Sequence, residues 1–327
     1  MEVTADTLDD VLAEIYKDLL GSATTNEASR GSTSERIGVL INIAKPRARL
    51  SRSLSRGKPF SALGELLWYL SRTDNLDFIR RYVKQYENES TDKLTVHGAY
   101  GPRLFSMRGV DQVENVIALL QKREPTRRAV IQLFNAEDIA REHKEIPCTT
   151  TMQFFLRDSR LHMVVTMRSN DAYKGLPHDV FCFTMLQEMI ATRLNRDLGD
   201  YRQFVGSMHL YKDDAHHAKS YLNEGFHRAI EMPPMPAGNP FEVVPKLLDA
   251  ERDIRNGKQV VAANIFRDPY WADLVRLLLV FDATGDAGRL NTLKAEFSSS
   301  IYQAYLDARF TMNPRKPDIQ TQPGLGI

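Results

Sequence analysis

The hydrophobic positions of this chain change period several times. Leu8, Val11, Leu12, Ile15 and Leu19 fall on one face at helical spacing, predicting a helix over residues 7–20. Residues 21–34, GSATTNEASRGSTS, are small and polar and read as a loop with Arg30 as its one strong cation. Residues 35–57 mix short apolar stretches with further arginines, and helices are expected from about Pro59. A helix over 111–122 follows, then a loop at 124–128 and a short strand over Ala129–Phe134. Thr150–Leu156 and Arg160–Arg168 are rich in β-branched residues and flank Arg157-Asp158-Ser159, which predicts a hairpin. Pro177–Leu194 is apolar on more than one side and reads as a buried helix. Val205–Tyr211 is a strand candidate and Lys212–Glu224 a helix.

Strands and helices mix without strict alternation, so the pattern predicts an α+β fold with a mixed sheet and surrounding helices. Residues 232–240, MPPMPAGNP, break the pattern, and helical periodicity resumes over roughly 241–256, 268–282 and 286–310. The expected organisation is a main domain over 1–235, a helical extension over 236–312 and a flexible tail over 313–327.

Composition narrows the function classes. The chain has 327 residues, a formal net charge of +1 and 43% hydrophobic residues, enough for a sizeable core. Near-neutrality gives no global field to attract a polymer of phosphates, though clustered arginines could hold a small phosphate. Two cysteines, Cys148 and Cys182, argue against a disulfide framework and make a reduced, cytoplasmic setting the expectation. The acidic, amphipathic start does not read as a signal peptide, no apolar run is long enough to span a bilayer, and no metal site is expected.

Candidate chemistry centres on Pro147-Cys148-Thr149. A lone cysteine between strands is often a small buried hydrophobe. A nucleophilic thiol needs nearby positive charge, and Arg127, Arg128 and Arg168 flank Cys148 in sequence. Paired arginines are also common on solvated surfaces, and Arg168-Ser169-Asn170-Asp171 suits a plain turn.

Taken together, these stretches resemble the thymidylate synthase and pyrimidine hydroxymethylase family. The likeness rests on GELLWYL (64–70), DQVENVIALLQKREPTRRAVIQLFN (111–135), PC (147–148), MRSNDAYKGLPHDV (167–180) and GSMHLY (206–211). It covers about residues 8–225. The resemblance implies a homodimer that adds one carbon to C5 of a pyrimidine nucleoside monophosphate, with 5,10-methylenetetrahydrofolate as donor. A thiolate at C6 makes C5 nucleophilic, and Cys148 matches that nucleophile. Arg30, Arg127, Arg128, Arg168 and Ser169 match phosphate-binding groups, with Arg127 and Arg128 reaching across the dimer interface. His209 and Tyr211 match residues that bind the sugar hydroxyl. Glu65 matches the catalytic glutamate and Tyr100 the tyrosine that assists proton removal from C5. Asp171 and Gly175 match positions near the base and the folate, and Trp68 is carried over as folate-binding against its plain reading as core.

Asp179 departs from the methylating enzymes, which carry Asn there. An ionised Asp accepts from cytosine N4–H, and a protonated one also donates to N3, so this residue is expected to select cytosine over uracil. The alternative is that Asp179 merely caps the following helix. Thr149 stands where methylating enzymes commonly have His, Met167 where they have Gln, and their short closing tail is absent. The expected activity is therefore C5-hydroxymethylation of CMP or dCMP, with water capturing the methylene. A divergent thymidylate synthase using dUMP is the runner-up, and a catalytically silent nucleotide-binding or scaffold protein is the reading from another class.

Overall fold

In the computed structural model, residues 1–21, 24–28, 31–53 and 58–315 are described. Arg30 therefore lies outside the described residues, as does most of the expected tail. Two compact units are formed, Met1–Pro240 and one beginning at Phe241. No described helix is long and apolar enough to cross a membrane.

The first unit is built on seven strands: β1 (Glu2–Ala5), β2 (Thr24–Ala28), β3 (Gly31–Ile43), β4 (Val130–Gln132), β5 (Thr149–Arg157), β6 (Arg160–Asp171) and β7 (Asp197–Tyr211). The sheet order is β1-β3-β7-β6-β5-β4, with β2 paired to β3. Pairing is mixed: β1–β3 and β6–β7 are parallel, and the other pairs are antiparallel. The helices are α1 (Leu8–Gly21), α2 (Pro59–Leu70), α3 (Leu76–Arg80), α4 (Tyr86–Glu89), α5 (Tyr100–Phe105), α6 (Gln112–Lys122), α7 (Leu176–Arg193) and α8 (Ala215–Asn223). The second unit is helical: α9 (Pro240–Arg255, its first residue in the first unit), α10 (Ala262–Ile265), α11 (Pro269–Asp282), α12 (Ala287–Glu296) and α13 (Asp307–Phe310).

Local chemistry explains the main elements. α1 buries Val11, Leu12, Ile15 and Leu19, the stripe seen in the sequence. Asp158 and Ser159 both have positive φ, 49° and 60°, which a two-residue turn between tightly twisted strands requires. The parallel pair β6–β7 needs a crossover, and α7 supplies it, buried along most of its length. Its Glu188 is held by Arg49, itself buried, and accepts from the Met235 N–H at 3.0 Å.

Three expectations are corrected. The polar stretch 21–34 is not a plain loop: its described part forms β2 and the start of β3, an edge hairpin whose exposed residues carry no apolar alternation. β7 begins at Asp197 rather than Val205, because Gln203 faces the core and interrupts the apolar pattern. The expected helix 286–310 breaks after Glu296, where the backbone N–H groups of Ser298 and Ser299 turn to Asp273.

One feature of the sheet shapes the cavity described next. Buried positions fall on odd numbers as far as Met167 in β6 and Val205 in β7, then move to even numbers, Asn170 in one and Met208 and Leu210 in the other. The strands nevertheless stay in register, Met167 opposite Val205 and Ser169 opposite Ser207. A Cβ on Gly206 would meet the Arg168 carbonyl oxygen at 2.8 Å, so this level of the sheet is closed to any larger residue. Gly206→Ala is expected to destabilise the fold by about 1–3 kcal/mol, read as a fall in Tm; an unchanged Tm would mean that the two strands shift freely here.

Candidate active site

Where the alternation slips, Ser169 and Asp171 of β6 and Ser207, His209 and Tyr211 of β7 enter the wall of a cavity of about 770 Å³. The start of α7 adds Gly175, His178 and Asp179, and α2 adds Ser61, Glu65, Trp68 and Tyr69. Cys148, just ahead of β5, and Tyr100, at the start of α5, complete this side. The volume lies within the range of sites for small organic ligands.

The cysteine segment is braced by Arg168. Its Nε and Nη2 donate to the carbonyls of Pro147 and Ile146, each at 3.0 Å, and Nη2 lies 3.6 Å from Cys148 Sγ. The Arg168 N–H donates to the Cys148 carbonyl at 2.8 Å. Burial pushes the Cys148 thiol up to about 12, outweighing the pull of the Arg168 guanidinium. The carboxyl groups of Glu145 and Asp179 add to the rise. The Tyr100 hydroxyl accepts from the Thr149 N–H at 3.0 Å, so it is fixed beside the residue that follows the thiol. Burial raises the Tyr100 hydroxyl well above its ordinary range.

Glu65 is surrounded by donors. Tyr69 and Tyr86 donate their hydroxyls to Oε1 at 3.1 and 2.8 Å, and His178 Nδ1 lies 2.7 Å from Oε2. Burial would raise this carboxyl, but the His178 contact and the tyrosine hydrogen bonds prevail and hold it below its usual value. Asp179 has the opposite fate: burial, then the nearby Glu65, push it well above the carboxylate range, against a hydrogen bond from Asn170. Glu145 also lines the cavity and accepts from the Gly98 N–H, and burial raises it to about 7.

Some expected residues have visible structural duties. Asp171 Oδ1 accepts from the Tyr173 and Lys174 N–H groups at 2.8 and 2.9 Å, forming the turn into α7. A Cβ on Gly175 would lie 2.7 Å from Asn170 Oδ1, so a larger residue there would have to displace the Asn170 side chain. Trp68 is 1% exposed and packs edge-to-face on Tyr86, combining the core and wall readings. His209 stacks edge-on against Tyr211, and its Nδ1 lies 3.4 Å from Ser169 Oγ.

Eleven expected residues thus share one cavity: Glu65, Trp68, Tyr100, Cys148, Arg168, Ser169, Asp171, Gly175, Asp179, His209 and Tyr211. Arg127 and Arg128 do not line it; both are exposed ahead of β4. The sequence reading missed Tyr69, Tyr86, His178 and Glu145. Tyr69 follows Glu65 at i+4, a detectable signal, whereas the other three approach from distant segments. No cluster of metal-ligating side chains occurs among the described residues.

Residues 55–236 match the family model described as thymidylate synthase. Among curated relatives, a deoxyuridylate hydroxymethyltransferase of Pseudomonas phage M6 is 35% identical over 158 residues, covering 47% of this chain and 45% of the relative. A thymidylate synthase of Francisella philomiragia is 28% identical over 178 residues, covering 50% and 65%. The deoxyuridylate hydroxymethyltransferase of Bacillus phage SP01 is 29% identical over 219 residues, covering 62% and 57%. The chain therefore spans about half to two thirds of the length of these relatives. Among solved structures, thermostable thymidylate synthase A from Bacillus subtilis shares the fold, with a TM-score of 0.60 at 23% identity over 71% of this chain and 90% of that one. The expected α+β fold with a mixed sheet is the fold observed.

The thiols should behave unequally. Cys182 is 1% exposed, whereas Cys148 lines the cavity. Iodoacetamide is expected to modify Cys148 alone, more slowly than free cysteine near pH 7, with a rate still climbing above about pH 9 because the thiolate fraction falls roughly tenfold per unit of raised pKa. A rate that levels off near neutrality would show a thiolate already formed at rest. Peptide mapping by mass spectrometry reads both.

Proposed function

From the premise that the chain belongs to the thymidylate synthase family, we propose that the cavity adds a one-carbon unit to C5 of a pyrimidine nucleoside monophosphate. We propose further that the reaction is hydroxymethylation of a cytidylate, CMP or dCMP. The observation that carries the finer reading is the place of Asp179: a carboxyl lines the cavity at the position where the methylating enzymes carry Asn. A neutral carboxyl donates to cytosine N3 and accepts from N4–H, a complementary pair of hydrogen bonds.

The other residues take roles consistent with their positions. Cys148 attacks C6; its thiol is protonated at rest and gives its proton to water as the S–C6 bond forms, with Arg168 beside the sulfur. Arg168 and Ser169 bind phosphate, helped by Arg30 and by Arg127 and Arg128 of a second copy. Exposed Ile37, Val130 and Phe204 on the sheet support such a homodimer. His209 and Tyr211 read the sugar hydroxyl. Tyr100 assists removal of the C5 proton, and Asp171 sits near the base.

The family's co-substrate, 5,10-methylenetetrahydrofolate, supplies one carbon at the oxidation level of formaldehyde. Its binding in the cavity is supported by the aromatic side chains Tyr82 and Tyr86 in the lining and by Lys84 and Lys144, cations that suit its glutamate carboxylates.

A second reading, one-carbon transfer to deoxyuridylate, is favoured by the same carboxyl and by the names of the phage relatives. A neutral Asp179 can also donate to uracil O4 and accept from N3–H; only its ionised form rejects uracil.

Tritium release from C5-labelled CMP, dCMP and dUMP, with products weighed, separates these readings. Release from a cytidylate with a hydroxymethyl product is expected. Release from dUMP alone would overturn the cytidylate reading. Asp179→Asn is expected to move the kcat/KM ratio toward uracil by at least about 100-fold; an unchanged ratio would remove Asp179 from base selection.

A further inference from the structure

The wall of the cavity contains a chain of three side chains that the roles above do not explain. Ser61 and Glu65 lie one turn apart on α2, and His178 of α7 bridges them. His178 Nδ1 is 2.7 Å from Glu65 Oε2, and His178 Nε2 is 3.1 Å from Ser61 Oγ. An ionised carboxylate only accepts, so Nδ1 carries the hydrogen. In the neutral ring Nε2 then accepts, and the Ser61 hydroxyl donates to it. This network fixes both the tautomer and the plane of the imidazole.

The acceptor count on Glu65 gives the chain a purpose. A carboxylate can take roughly four hydrogen bonds. Among the described residues, Tyr69 and Tyr86 fill Oε1 and His178 fills one position on Oε2. One position on Oε2 remains, on a side chain that lines the cavity.

We propose that the Ser61–His178–Glu65 chain holds that remaining acceptor position so that it binds and deprotonates the water that completes hydroxymethyl formation, making His178 a positioning residue for this step. The inference rests on the proposed hydroxymethylation. The water oxygen bonds to the exocyclic methylene carbon at C5. The double-bond pair moves to C5 and on into the C5–C6 bond as the C6–S bond breaks, and Cys148 leaves with its electron pair. The water proton passes to Glu65 and then to the departing thiolate, which restores carboxylate and thiol.

The direction of the pH effect follows from the groups around Glu65: Tyr69 on its own helix, Tyr86, His178, and Asp179 nearby. Of these, His178 does most to offset burial. Without it the carboxyl rises, so the acidic limb of kcat moves to higher pH.

The test compares wild type with His178→Phe, His178→Asn and Ser61→Ala, assaying dCMP, CMP and dUMP with 5,10-methylenetetrahydrofolate. Tritium release from C5 reports the early steps and the mass of the product reports water capture. In a single turnover, His178→Phe is expected to keep the rate of tritium release within about threefold while formation of the hydroxymethyl product slows about 100-fold, with the acidic limb of product formation raised by about one pH unit or more. His178→Asn, which retains an N–H donor toward Glu65, should recover most of the product. Ser61→Ala should lose product severalfold in the same direction, and it carries the test if His178→Phe does not fold. Equal losses of release and product with an unmoved limb, or full activity in His178→Phe, would overturn the proposal. Wild type that releases no tritium from any of the three nucleotides would instead overturn the hydroxymethylation reading, and this inference with it.

Discussion

Two parallel neighbouring strands cannot be joined by a tight turn. In this molecule β6 and β7 are such a pair, and α7 must leave the end of one and return to the start of the other. That crossover forces the first turn of α7 against the ends of both strands. Gly175, His178 and Asp179 therefore join Ser169, Ser207, His209 and Tyr211 in lining one cavity. The helix is buried over most of its length and is anchored at Glu188 by Arg49, so its first turn has little freedom to retreat. The site is a product of connectivity before it is a product of any single residue.

The electrostatics of the cavity follow from the burial of its carboxyl groups. Glu65, Glu145 and Asp179 share it with a cysteine, and not all can be charged at once. The structure sorts them by available donors. Glu65, with two tyrosines and a histidine, keeps its charge. Asp179 and Glu145 have fewer compensating partners and are driven toward neutrality. A carboxyl that stays neutral can both donate and accept, which suits the reading of a base edge; one that stays ionised suits proton transfer. Similar side chains thereby acquire different chemistry from their surroundings.

Much of this arrangement was legible in the sequence. The stripe of α1, the β5–β6 hairpin and the apolar girth of α7 follow from spacing alone. The residues gathered around Cys148 followed from the family resemblance, and eleven of them share one cavity. Sequence failed where polar residues take structural positions. β2 and the start of β3 form an edge hairpin with no apolar period, and Gln203 occupies a core position in β7. Tyr86 and His178, the distant partners of Glu65, were missed for another reason. His178 is 113 residues from it, and only the fold brings them within hydrogen-bond range. Arg127 and Arg128, carried over from the same resemblance, lie outside the cavity.

The slip in the alternation of β6 and β7 has a consequence for how such a chain can change over time. Both strands shift phase at the same level while their pairing stays intact. An insertion or deletion in either strand alone would leave its partner out of step and turn Ser169 or His209 away from the cavity. Lengths in this region are thus locked to one another, and the loops offer no easy compensation. Change in this part of the cavity must proceed by exchanging side chains at fixed addresses, while variation in length is left to segments beyond the sheet.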